Sequence, residues 1–192
     1  MKQGNPIIWL IRHGETEWSL SGAHTGRTDI PLTAKGEASA IQLGQALEAQ
    51  HFGLVLTSPL LRARETCRLA GFGEVAVIEP NIAEWNYGDY EGRTTSEIRA
   101  DRPGWTPWAD GFPGGETIEE VAARARAVIH YVAQSETDIA LFAHGHILRI
   151  LAACWIEHPP QTARALALGT GSISRLGYER QTRVIQEWNR HP

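Results

Sequence analysis

Ile7-Ile8-Trp9-Leu10-Ile11 followed by Arg12-His13-Gly14 is the stretch that decides the fold. Five apolar residues, three of them β-branched, stand in an unbroken run. A half-buried strand would alternate apolar with polar, so this run reads as a strand buried on both faces. It stops at a cation and an imidazole, and the glycine after them permits a sharp change of direction.

Working outward, the pattern recurs. Leu54-Val55-Leu56-Thr57, Val75-Ala76-Val77-Ile78 and Ile139-Ala140-Leu141-Phe142-Ala143 are further short apolar runs. Helical patterns separate them. One opens at Pro31-Leu32-Thr33, with Thr33 as N-cap, and runs to about Gln50. A second starts at Ser58-Pro59, serine as N-cap and proline at N1, and Gly71 ends it. Thr94 with Glu97 and Thr117 with Glu120 carry capping-box spacing. After the latter, Ile118, Val121, Ala125, Val128, Ile129 and Val132 fall on one helical face. His146 to Trp155 reads as a buried helix, apolar except for Arg149. The Pro-, Gly- and Trp-rich segment from Arg102 to Gly115 reads as an ordered loop. Ser172–Tyr178 and Arg183–Trp188 suggest a terminal hairpin. Strands alternating with helices predict an α/β fold: a three-layer α/β/α sandwich on a mainly parallel central sheet, in one domain spanning 1–192.

Hydrophobic residues make up 42% and charged residues 21% of the 192 residues, an ordinary soluble composition. The net charge of -4 argues against nucleic acid or a membrane surface as partner. Cys67 and Cys154 lie inside apolar helical patterns and outside any metal-spaced motif. They read as reduced core thiols of a cytoplasmic protein. The apolar run after Met1–Pro6 is too short for a signal peptide. Sixteen arginines stand against two lysines; composition bias explains most of them, but arginine is also the better bidentate partner for phosphate.

In such folds ligands bind outside the carboxyl ends of the strands. The first strand ends in Arg12-His13-Gly14. The second ends before Ser58, with Arg62 in the first turn of its helix. The fourth ends in His144-Gly145-His146. Two arginines and two histidines therefore converge on one sheet edge. Arginines repel a metal ion, so the set favours an anion site and no metal. Helix N-termini near Arg62 and His144 add backbone donors, and Gly14 and Gly145 would allow close backbone approach to an anion.

At this point the chain resembles the histidine phosphatase superfamily, which includes cofactor-dependent phosphoglycerate mutase. The resemblance rests on Leu10-Ile11-Arg12-His13-Gly14-Glu15-Thr16, Thr25-Gly26, Leu32-Thr33, Gly36, Thr57-Ser58-Pro59, Arg62-Ala63 and Thr66. It continues through Glu84, Gly88, Glu91-Gly92, Gly114-Gly115-Glu116 and Ala143-His144-Gly145, in the family's order over roughly residues 7–155. It implies a phosphoglycerate mutase-like fold. His13 would be the nucleophile that forms a phosphohistidine, Arg12, Arg62 and His144 would hold the phosphoryl oxygens, and Glu84 would protonate the leaving alcohol. Ser19, Thr25, Gly26, Tyr87 and Gly145 would join Arg12, Arg62 and His144 in binding substrate. No cofactor is implied.

Each position has a rival. Arg64 competes with Arg62, and Glu79 and Glu91 compete with Glu84. His24 and His146 read equally as site residues or as surface and packing residues. Ser19 stands where the mutases have asparagine, with a shorter reach. Trp18, Trp85, Tyr87, Trp105 and Trp108 are dense in loop regions; core packing explains some of them, and several could form an aromatic wall around the substrate. No paired arginines occur between Gly92 and Gly115 to hold a distal phosphate, so water is the expected acceptor. The expected function is a phosphatase for a small phosphate monoester such as a sugar phosphate. Its look is closest to the bacterial acid phosphatase and sedoheptulose-bisphosphatase branch; the fungal enzyme is longer, so its substrate does not transfer. A mutase, a phosphoprotein phosphatase and a non-catalytic phosphate-binding module stay as alternatives, and a homodimer is left open.

Overall fold

In the computed structural model, which describes residues 5–192, the opening stretch becomes β1 (Ile8–Arg12) inside a six-stranded sheet. Its side chains alternate between two separate cores. Ile8 and Leu10 pack into one, Trp9 and Ile11 into the other. β4 (Ile139–Ala143) does the same, sending Ile139, Leu141 and Ala143 one way and Ala140 and Phe142 the other. A continuous apolar run was needed because both faces of these strands are covered.

The strand order is β3-β2-β4-β1-β5-β6. β2 (Leu54–Thr57), β3 (Ala76–Ile78), β4 and β1 run parallel, while β5 (Ile173–Glu179) and β6 (Thr182–Arg190) form an antiparallel hairpin added to β1. Helices α6 (Ile118–Val132) and α7 (Gly145–Trp155) cover the first core. α2 (Ala34–Leu47) and α3 (Leu61–Leu69) cover the second. The α/β sandwich read from the sequence is therefore the fold. Truncating a strand residue such as Leu10, 1% exposed, to alanine would cost about 2–5 kcal/mol.

Local signals held where they were sharpest. Thr33 caps α2 by accepting from the Gly36 N–H, and both predicted capping boxes form, at α4 (Thr95–Asp101) and α6. Three readings need correction. α3 begins at Leu61 instead of Ser58, and its Leu61 N–H donates to Asp29 Oδ1 at 2.8 Å. The loop from Arg102 to Gly115 contains a short helix, α5 (Pro107–Asp110). A five-residue helix, α1 (Glu17–Ser21), was missed, although Thr16 and Ser19 cap it reciprocally. Cys67 and Cys154 are unpaired and buried, and burial pushes the Cys67 thiol up to about 12. The reading of Met1–Gly4 lies outside the described residues. Among the described residues no helix is long and apolar enough to cross a membrane.

Candidate active site

β1, β2 and β4 are parallel neighbours, so their carboxyl ends share one edge. The first residues beyond them stay laced together there. His13 N–H donates to the Ala143 carbonyl at 3.0 Å, and Ser58 N–H to the Phe142 carbonyl at 2.9 Å. The predicted convergence of three strand ends is present.

His13 is buried, with Nδ1 2.7 Å from the Gly14 carbonyl oxygen. A carbonyl only accepts, so Nδ1 carries the proton and Nε2 keeps its lone pair. Burial, then the charges of Arg62 and Arg12, hold the imidazole well below its ordinary pKa. His13 is therefore a neutral imidazole with a free nitrogen at neutral pH.

The residues around it hold buried nitrogens without partners: Arg12 Nε, Arg62 Nε and His144 Nδ1. Leaving such groups unsatisfied costs about 1–3 kcal/mol each, so their grouping makes this edge a candidate anion site. His144 Nε2 lies 2.7 Å from Ser58 Oγ, which also accepts from the Leu60 N–H at 3.3 Å. The Ser58 hydroxyl is thus free to donate to Nε2, which leaves the proton on Nδ1 and makes it a donor. Burial, then Arg62, pulls the His144 pKa down as well.

Arg62 is fully buried and its orientation is built by a loop. Its Nη1 donates to the Thr28 carbonyl at 3.1 Å, and its Nη2 to the Thr25 and Gly26 carbonyls, each at 2.9 Å. Glu91 shapes that loop by accepting from the Gly26 and Thr28 N–H groups at 2.8 and 3.1 Å. Gly26 has to be glycine, since a Cβ would lie 2.7 Å from the Trp85 backbone carbonyl oxygen. Arg64, the rival, points elsewhere, into a surface groove beside β3.

Glu84 is buried at the N-terminus of α7. Its Oε1 accepts from the Trp85 and Ile147 N–H groups at 2.9 and 3.0 Å, and its Oε2 from His146 N–H at 3.0 Å. Arg124 pins the flanking backbone through the Asn81 and Ala83 carbonyls, at 2.7 and 2.9 Å, and pairs with Glu116. The rival acids are engaged otherwise: Glu79 accepts from the Asn81 N–H, and Glu91 organises the Arg62 loop.

A cleft of about 200 Å³ opens over this edge. Of the predicted residues, Arg12, His13, Glu84, Ser19, Thr25, Tyr87 and Gly145 line it. Arg62 and His144 are wholly buried outside the lining, and Gly26 acts through the Arg62 clamp. Ser19 reaches the cleft, yet its hydroxyl donates to the Thr16 carbonyl at 2.9 Å. Gly145 lies where a Cβ would approach Arg12 Cζ to 3.3 Å, whereas Gly14 is needed for packing, its Cβ position falling 2.5 Å from the Gly36 carbonyl oxygen of α2. The aromatic wall is mostly an aromatic support: of the five candidates, Tyr87 alone lines the cleft. Trp85 and Trp105 have their indole N–H groups tied to the Glu116 and Gly111 carbonyls.

His24, His146, Arg149 and Leu168 line the cleft too. The first two were left open by the sequence, and the last two were not singled out as site residues. Tyr87 hydroxyl bonds His146 Nδ1, and His24 packs edge-on against Tyr87 at 5.1 Å between centroids. Arg149 was visible as the one polar interruption of an apolar helix.

Known proteins match this arrangement. The model of the histidine phosphatase superfamily, branch 1, covers residues 8–191. An acid phosphatase of Mycobacterium tuberculosis is 37% identical over 185 residues, covering 94% of this chain and 91% of its own. A sedoheptulose 1,7-bisphosphatase of Saccharomyces cerevisiae is 38% identical over 183 residues, with 78% and 67% covered. A solved structure of an open reading frame product from Mycobacterium tuberculosis superposes with a TM-score of 0.92 at 35% identity, over 97% of this chain and 98% of its own. A near-complete family match and two relatives above 30% identity agree: the chain belongs to the histidine phosphatase superfamily.

Proposed function

We propose that the chain is a phosphatase that hydrolyses a small phosphate monoester, such as a sugar phosphate, through a phosphohistidine at His13. The observation that carries the reading is the state of His13: a neutral imidazole, Nε2 unshared, beside three unpartnered buried nitrogens. Acid phosphatase and sedoheptulose bisphosphatase are names borne by relatives, and they support a monoester of this class.

In this reading His13 Nε2 attacks phosphorus, and the bond from phosphorus to the alcohol oxygen breaks. Arg12, Arg62 and His144 stabilise the charge on the phosphoryl oxygens in flight. Their donors are fixed before substrate arrives, by the Leu168 carbonyl for Arg12, the 25–28 loop for Arg62 and Ser58 for His144, so little reorganisation opposes the reaction. Glu84 delivers a proton to the leaving oxygen. Glu84 then takes a proton from water, whose oxygen attacks phosphorus, and phosphate leaves as His13 is regenerated. Thr25, Tyr87 and Gly145 line the path of the alcohol, with Ser19 beside them.

Water is favoured over a second hydroxyl because the segment between Gly92 and Gly115 has no paired arginines to retain a bisphosphate. The two free, buried cysteines favour a reducing compartment such as the cytoplasm. Purified protein is expected to release phosphate from p-nitrophenyl phosphate with EDTA present, and to release it from 3-phosphoglycerate faster than it forms 2-phosphoglycerate. Activity restored only by a divalent cation, or interconversion outrunning release, would overturn the reading.

A further inference from the structure

The mechanism uses Arg12 and Arg62 and leaves Arg149, the other arginine of the cleft lining, without a task. Arg149 sits on α7, four residues beyond Gly145, which places it on the same helix face and about 6 Å further along the axis. It lines the cleft.

Its guanidinium is held on three sides. The carbon stands over the Trp108 ring, 4.6 Å from the centroid. Nε donates to the Ala163 carbonyl at 3.0 Å and Nη2 to the Arg164 carbonyl at 3.2 Å. Trp108 is itself braced edge-on by His146 at 4.9 Å. Nη1 has no partner among the described residues, and none of their carboxylates forms an ion pair with Arg149. Burial lowers the pKa of the group, so holding the charge there is costly to the free protein.

Charge balance points the same way. A phosphate dianion matches Arg12 and Arg62. Arg149 is left over, with no carboxylate among the described residues paired to it. A rigid, half-buried, unpaired guanidinium fits an oxyanion with planar or tetrahedral oxygens.

We infer that Arg149 is a specificity-determining residue that recognises a second anionic group, carboxylate or phosphate, on the alcohol half of the substrate. The inference rests on the phosphatase reading and narrows its substrate class to short-chain phosphomonoesters that carry another negative charge. One such contact selects by charge; it does not reproduce the multi-arginine grip that retaining a bisphosphate would need.

The test uses matched pairs. 3-Phosphoglycerate and glycerol 3-phosphate differ by a carboxylate in place of a hydroxymethyl group. Fructose 1,6-bisphosphate and fructose 6-phosphate differ by a second phosphate. Both kcat/KM of the wild type and Kd for a non-turnover His13→Asn protein are measured for each pair. The more anionic member should be preferred about 10- to 100-fold in at least one pair, and the pair that shows it identifies the anion. Arg149→Gln should bring that ratio close to one, mainly through KM, and Arg149→Lys should restore part of it. A ratio near one in both pairs for the wild type overturns the inference, as does a preference that survives Arg149→Gln. Circular dichroism checks that the variants fold, and the wild-type ratio stands as a test even if they do not. Hydrolysis of p-nitrophenyl phosphate reports separately on the phosphatase reading, and the Kd ratios stand whether or not that reading fails.

Discussion

His24 should make the protein sensitive to acid, and by an amount the structure sets. Its ring sits among Tyr87, Trp105 and Phe112, with centroids 5.1, 5.6 and 5.4 Å away. Burial there lowers its pKa from 6.5 to about 4, against a smaller opposing pull from Glu91. In the unfolded chain it titrates near 6.5. Between these values the unfolded state binds a proton that the folded state refuses, so stability present above pH 6.5 is lost as pH falls toward 4. The gap, at about 1.36 kcal/mol per pH unit, amounts to about 2 kcal/mol by pH 5 and about 3 kcal/mol by pH 4. His24→Phe removes the titration and keeps an aromatic ring in an aromatic site, at the loss of one long contact to Thr95 Oγ1 at 3.3 Å. Urea unfolding of both proteins at pH 7, 5 and 4 isolates the effect, because His13, His144 and His146 titrate in both. The wild type should lose about 3 kcal/mol more than the variant between pH 7 and pH 4. Equal losses would show that His24 is not the source of the acid sensitivity.

Three further outcomes follow from the site. Glu91→Ala removes two acceptor bonds that hold the 25–28 loop, so stability should fall by about 2–3 kcal/mol and kcat/KM should fall with it as the Arg62 clamp loosens; unchanged kinetics in a folded variant would contradict the clamp. Gly145→Ala crowds Arg12 at 3.3 Å while placing a good helix former at the first residue of α7, so kcat should drop by about tenfold with stability changed by less than about 1 kcal/mol; kinetics and urea melts separate the two effects. Because protonated His13 cannot attack and its pKa lies well below 6.5, the acid limb of kcat/KM attributable to His13 should lie below pH 6.5; a pH profile that loses one ionisation at 6.5 or above, traced to His13, would contradict it.

The sequence exposed those parts of the molecule whose cause is local. The unbroken apolar runs of β1 and β4 announced strands covered on both faces, whereas the similar run at Val75–Ile78 became an edge strand with Val77 and Ile78 exposed; Thr94 with Glu97 and Thr117 with Glu120 announced helix starts. Strand ends carrying Arg12, His13 and His144 announced the site, because parallel strands bring their carboxyl ends to one edge. Ser58 shows where locality fails. Its position before a proline looks like a helix cap, but its hydroxyl bonds His144, 86 residues away, and Asp29 meets the helix start instead. Glu91 and Arg62 are joined only through backbone groups of residues 25–28, a link with no periodicity to detect. The tryptophans show the same limit: density in a loop does not reveal which rings face a cleft and which brace it. Arg149 could have been found, since a lone cation in the apolar run Ile147–Trp155 needs a reason to be there.

The proposed catalytic cycle turns on a phosphoryl group bonded to His13. Rapid-quench mass spectrometry during turnover of p-nitrophenyl phosphate, kept at alkaline pH because phosphohistidine is labile in acid, tests it directly. The expected result is a phosphoryl adduct that appears within the first turnover, maps to His13 and is absent from His13→Ala. Steady phosphate release with no adduct, or an adduct mapped to another residue, would contradict the central claim.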